Sequence, residues 1–202
     1  MDEDVILVGG DDDSETVLSG RWGVQRLKTD GLVREALRRM QLGPVRLANV
    51  GLEPGSGAPE RLILLPVLRE LAHLVVRTIA MDDLLGPLLS VYPLSRDAVF
   101  RLGAPPADRL LRLVVGTSLV LRSDGLVMEV RDGPYRVVVH RPEAVWVMGM
   151  LTRPCRPKDA VAALPLPPGV TRGVIGYLLA AGMAVPVDPP PAPAPLPLGP
   201  AQ

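Results

Sequence analysis

Apolar and polar positions along this chain fall into an order of elements that occurs twice. Apolar, β-rich runs at residues 5–8 and 16–18, and a further run at 24–27, predict short strands. Leu32, Val33, Ala36, Leu37 and Met40 then recur at helical spacing, with Arg34, Arg38 and Arg39 off the stripe, which predicts a helix over residues 31–42. Thr29 or Asp30 is placed to cap its start, and Gly43-Pro44 ends it. A short helical segment is expected at 44–50, a helix around 66–72 and a closing apolar strand at 74–79. The second half repeats the order. A hairpin pairs 118–122 with 126–130 around Ser123-Asp124-Gly125, and a turn at Asp132-Gly133-Pro134 leads to a strand at 135–140. Helices follow at 142–151, 157–164 and 170–181, and a strand at 183–187 closes the unit.

Three small helices packed with a strand hairpin is the winged-helix plan, and an internal repeat shapes every later inference. The fold class expected is therefore α+β, with tandem winged-helix-like units packed through a shared apolar interface. The first unit is expected over residues 1–81, a connecting segment over 82–108 and the second unit over 109–187, with a disordered proline-rich tail over 188–202. Within the connection, residues 88–91 have strand character, while Pro87, Pro93, Pro105 and Pro106 stop long elements. Pro54 to Pro59 reads as a flexible loop inside the first unit.

Composition narrows the function. Of 202 residues 48% are apolar, enough for cores, but only Trp22, Tyr92, Phe100, Tyr135, Trp146 and Tyr177 are aromatic, so Leu, Val and Ala must do most of the packing. A formal net charge of +0 removes the long-range attraction on which nucleic-acid and anionic-membrane binders rely. The most apolar stretch, residues 62–79, is broken by Pro66, Arg69, Glu70, His73 and Arg77 and does not read as a membrane span. With no charged-then-apolar leader at its start, the chain is expected to be cytoplasmic.

Chemistry-bearing motifs are scarce. Gly9-Gly10-Asp11-Asp12-Asp13 has the content of a cation loop but lacks the ordered ligand spacing and the bidentate Glu of one, so a solvated hairpin turn is expected. His73 and His140 sit in different halves and are not expected to chelate together. Cys155 is the single cysteine; Arg156 beside it is a potential activator, but no partner base is identifiable. Phosphate-cradling and dinucleotide-binding glycine patterns are absent, as is a nucleophilic triad. In the last helix Gly173 and Gly176 lower helix propensity by roughly 1 kcal/mol each relative to Ala. They imply close approach of another backbone, either a strand of this chain or a docked peptide.

The run 121–130, Leu-Arg-Ser-Asp-Gly-Leu-Val-Met-Glu-Val, followed by Tyr-Arg-Val-Val-Val-His at 135–140 and Pro-Glu-Ala-Val-Trp at 142–146, carries a resemblance. Together with the stretch Gly-Val-Thr-Arg-Gly-Val-Ile-Gly-Tyr-Leu-Leu-Ala-Ala-Gly at 169–182, it resembles the N-terminal region of the SagB-type azoline dehydrogenases. The first half and the connection, including Val91-Tyr92-Pro93-Leu94-Ser95, are similar to the earlier part of that region. Those flavin enzymes oxidise thiazolines and oxazolines in ribosomally made peptides. In the family a nitroreductase-like, FMN-binding catalytic domain follows this region. Here a proline-rich stretch follows Asp188, so no flavin-binding or catalytic residue carries over.

The resemblance implies a non-catalytic scaffolding and peptide-recognition subunit of a flavin-dependent azoline dehydrogenase or related modification complex. No cofactor is expected on this chain; FMN is expected in a nitroreductase-like partner, with a precursor peptide and a cyclodehydratase as further partners. By the same resemblance, winged-helix modules take a leader peptide as an added strand beside their third helix. The expected groove lies between the strand carrying Tyr135, Val137, Val138 and Val139 and the helix carrying Arg172, Gly173, Gly176 and Tyr177. The alternative is a winged-helix DNA-binding regulator, whose recognition helix would carry Arg172 as its single cation, with Asp124 and Asp132 in the wing turns.

Overall fold

The computed structural model describes residues 1–2, 4–9, 15–45 and 59–188. The Gly-Asp turn beyond Gly9, the segment expected as a helix at 44–50 beyond Val45, the Pro54–Pro59 loop up to residue 58, and the tail beyond Asp188 lie outside the described residues.

The protein is α+β, with antiparallel sheets. Its first sheet is a meander of β1 (Ile6–Gly9), β2 (Glu15–Gly20) and β3 (Gly23–Lys28), in that spatial order. Alternation decides which side packs: Thr16 and Leu18 of β2 and Leu27 of β3 are buried, while Val24 and Arg26 face solvent. α1 (Gly31–Leu42) lays Val33, Ala36, Leu37 and Met40 on that sheet, the stripe its spacing predicts. Asp30 caps it, its Oδ1 accepting the Val33 N–H at 2.8 Å; such a cap stabilises a helix by about 1 kcal/mol. α2 (Pro59–Glu70) adds Leu64 to the same core. Pro66, expected at the start of this helix, lies inside it, because the helix begins earlier, at Pro59.

The second sheet contains β4 (Arg77–Ala80), β5 (Pro87–Pro93), β7 (Ser118–Arg122), β8 (Gly125–Glu129) and β9 (Tyr135–Val139), in the spatial order β4-β5-β9-β8-β7. One face presents Leu89, Val91, Met128, Tyr135, Val137 and Val139 to α3 (Pro142–Met150), α4 (Pro157–Ala163) and α5 (Pro168–Ala180). Val147, Val174, Ile175 and Leu178 of those helices are fully buried there. β6 (Leu111–Leu113) pairs with β10 (Ala184–Pro186), and a single bridge joins Leu111 to Cys155.

Two expectations change. The boundaries placed at 81/82 and 108/109 both fall within this second sheet. β4, expected to close the first unit, pairs instead with β5, and β5 comes from the supposed connection and runs beside β9. Prolines explain the misreading: Pro87 and Pro93 stand at the two ends of β5, where they mark its limits without breaking it. The run Leu88–Val91 between them is buried at all four positions, the pattern of a strand covered on both faces. β6 was not foreseen, since three residues are too few to show a period.

Arg141 holds the β4–β5 loop to the start of α3. Its guanidinium reaches Asp83 at 2.8 Å and Glu143 at 2.5 Å. Both carboxyls are pulled below the usual range by that guanidinium.

His73, just past α2, is buried, and its imidazole is pushed below the ordinary 6.5 by burial first and the Arg96 guanidinium second. The unfolded chain therefore takes up this proton more readily than the folded one. Its contribution to stability is complete above about pH 6.5 and is lost as pH falls towards the folded value. The lowered carboxyls of Asp83 and Glu143 titrate below that window. Urea unfolding at pH 7.5 and 5.5 should show the wild type losing stability over this interval, and His73→Gln losing less; equal losses would exclude His73 as the cause.

Candidate functional site

The expected groove is not formed. β9 lies between β5 and β8 and is hydrogen-bonded on both sides, so it has no edge to offer a peptide. Tyr135, Val137, Val138 and Val139 are all buried. α5 packs against α3, α4, β4 and β10. Its glycines make room for this chain's own atoms: a Cβ on Gly173 would collide with Ile79 Cδ1 of β4, and one on Gly176 would lie 3.3 Å from the Gly103 carbonyl oxygen. Tyr177 donates its hydroxyl to the Thr78 carbonyl at 2.9 Å. Of the residues expected to face a peptide, Arg172 alone is exposed.

Neither glycine leaves room for a docked peptide: the side chain of Ile79 on β4 fills the space beside Gly173, and the loop residues Leu102 and Gly103 fill that beside Gly176. Gly176→Leu is therefore expected to destabilise the protein by about 2 kcal/mol through overpacking against Leu102 and Gly103. A melting temperature equal to wild type would contradict that packing. The same burial leaves α5 little to present to a DNA groove: its exposed positions are Pro168, Gly169 and Arg172.

Strand addition needs an edge, and the registers show where the edges are. β3 is one of the two outer strands of the first sheet, β1 being the other. It closes a two-residue hairpin with Gly20 opposite Gly23, and then Ser19 opposite Val24, Leu18 opposite Gln25 and Val17 opposite Arg26. In such a hairpin the pair flanking the turn is hydrogen-bonded and the pairs alternate from there. Val24, Arg26 and Lys28 thus point their N–H and C=O groups outward, and no backbone hydrogen bond among the described residues uses them. The last residue of α2 reaches this strand, Gln25 Nε2 donating to Glu70 Oε1 at 3.3 Å. Arg26 and Lys28 give the open edge a positive character; Arg26 also pairs with Glu15 at 3.4 Å.

Between the first core and the second sheet lies a cleft of about 1490 Å³, reached by His73, Arg77, Ser90, Arg96, Phe100 and His140. Ser90 was not singled out in the sequence, because its partner is fifty positions away. Its Oγ lies 2.9 Å from His140 Nε2, and His140 Nδ1 lies 3.1 Å from the Asp124 carbonyl oxygen. The carbonyl accepts only from an Nδ1–H, so Nε2 accepts the Ser90 hydroxyl. Acyl transfer would also require N–H donors around the developing oxyanion. β5 is paired with both β4 and β9, so the N–H groups beside Ser90 are spent in ladders. The pair thus ties the β7–β8 turn and the end of β9 to β5.

Arg77 stacks on the Phe100 ring at 5.0 Å and donates to the carbonyls of Ala72 and Val75 at 3.3 and 3.1 Å. Burial, and after it the Asp159 carboxylate, push the Cys155 thiol up, away from the thiolate that activation by Arg156 would require. Among the described residues no cluster of three or more His, Cys, Asp or Glu is arranged to hold a metal ion, and no helix is long and apolar enough to cross a membrane.

No family model matches this chain, and no curated protein matches it. Its function must therefore be argued from the open edges.

Proposed function

We propose that the protein is a non-catalytic peptide-recognition and scaffolding subunit, and that an extended, acidic peptide segment adds as a fourth strand to the open edge of β3. The observation that carries this reading is the β3 edge itself. It has outward N–H and C=O groups on Val24, Arg26 and Lys28, the end of α2 within hydrogen-bonding reach at Glu70, and two cations at hand. Main-chain bonds would supply affinity, and alternate side chains of the added strand would meet the exposed Val24 and Arg26 on one face and Gln25 on the other. Self-pairing of this edge is disfavoured, because an antiparallel copy centred on Arg26 would set two guanidinium groups face to face.

The wider setting rests on the resemblance to the N-terminal region of SagB-type azoline dehydrogenases. In it, the two meander-plus-helix halves are winged-helix-like units, and the chain acts within the cytoplasm in the maturation of ribosomally made peptides. The chemistry then belongs to a nitroreductase-like chain carrying FMN, with a cyclodehydratase supplying the azoline. The first test is binding of a fluorescently labelled leader from a precursor peptide encoded beside this gene. Saturable binding that Arg26→Pro weakens supports the reading; binding indifferent to the β3 edge removes it.

A further inference from the structure

We propose that β7 is a dimerisation edge: two copies of this chain join by antiparallel β7–β7 pairing about a two-fold axis at Val120, fusing their second sheets into one. The inference is independent of the peptide reading, which concerns the other sheet.

Every residue of β7 is exposed, and Leu119, Val120 and Leu121 retain 50%, 47% and 80% of their surface. Outer strands are usually blunted by lysine, proline, a bulge or a covering group. The opposite edge of the same sheet is covered in this way, through the Tyr177 hydroxyl on the Thr78 carbonyl. Among the described residues, β7 has no such device. Its one charge, Arg122, stands at its end and has no ion-pair partner among the described residues.

Register makes the edge self-complementary. Arg122 and Gly125 flank a two-residue turn, so their pair is hydrogen-bonded, and the alternation leaves the N–H and C=O of Leu121 and Leu119 pointing outward. Centring a second β7 on Val120 puts Leu119 opposite Leu121 of the other copy, which satisfies all of these groups with about four backbone hydrogen bonds. It also puts Ser118 opposite Arg122 of the second copy. Glu129 is the neighbour of Ser118 on β8, on the same face of the sheet, and already pairs with Arg136. Across the small Ser118 side chain, Arg122 of the second copy meets this carboxylate, and the arrangement repeats on the other side of the axis. Charge and hydrogen bonding thus select one register.

Sedimentation of the full chain from low micromolar to several hundred micromolar should show a reversible, concentration-dependent dimer that weakens with added salt. In a Cys155→Ser background, Val120→Cys should cross-link the copies about tenfold faster than Ser118→Cys, because only the residue on the axis meets its own counterpart at disulfide distance. Leu121→Pro removes an outward N–H while sparing the ladder to β8 and should abolish the dimer. If that variant misfolds, Arg122→Glu serves instead, since it sets an acid across Ser118 from Glu129 and should weaken the dimer at least about tenfold. A chain that stays monomeric throughout, or a dimer in which Val120→Cys cross-links no faster than Ser118→Cys, would overturn the proposal.

Discussion

Gly125→Val is expected to destabilise the protein by about 3 kcal/mol or more, lowering its melting temperature by about 10 °C. Gly125 opens β8 directly after the Ser123-Asp124 turn, with φ +139°, a backbone conformation closed to residues with a side chain. A Cβ there would also fall inside contact distance of the Val139 carbonyl oxygen, and would lie 3.4 Å from Val138 Cγ1. Neither obstacle can swing aside: the first is backbone of the central strand β9 and the second belongs to a buried valine. Gly149→Ala, where an added Cβ meets nothing within 4 Å, is the control and should be neutral or slightly stabilising. A Gly125→Val variant melting within about 2 °C of wild type would contradict the tight turn-to-sheet approach.

Arg26→Pro is expected to weaken leader-peptide binding by about tenfold while leaving the fold intact. The Arg26 N–H points away from β2, so its loss costs the meander no ladder bond, and proline is tolerated on an outer strand. The substitution also removes a charge, so Arg26→Gln separates the two effects. If the peptide adds as a strand, Gln should lose part of the affinity and become less salt-sensitive, while Pro loses more. Fluorescence anisotropy of the labelled leader, with circular dichroism to verify folding, reads both. Equal losses in the two variants would mean that charge alone holds the peptide and that no strand is added.

Local structure was legible in this sequence to a fair degree. The stripe from Val33 to Met40 and the Asp30 cap specify α1, and Ser123-Asp124-Gly125 between two largely apolar runs specifies the β7–β8 hairpin. What the pattern does not contain is the partner of each strand. Residues 135–139 read as a strand with an edge, yet all of them but Arg136 are buried, the mark of a central position, with β5 and β8 on either side. Residues 88–91 read as a strand, and the structure has one there, but nothing in their pattern places it between β4 and β9. The candidate site shifted for the same reason. Gly173 and Gly176 signal a close approach of another backbone, which holds at Gly176 against Gly103, whereas at Gly173 it is the side chain of Ile79 that comes close. Val24, Arg26 and Lys28 gain their meaning as an open edge from the register and from β3 being outermost, neither of which a single strand's sequence records.

The central claim, that an extended peptide completes the first sheet at β3, is tested most directly by amide hydrogen exchange with and without saturating leader peptide. The outward N–H groups of Val24, Arg26 and Lys28 should exchange quickly in the free protein and become protected when the peptide binds, while Gln25 and Leu27, already bonded to β2, change little. Bound peptide that leaves Val24 and Arg26 exchanging at their free rates would contradict the account.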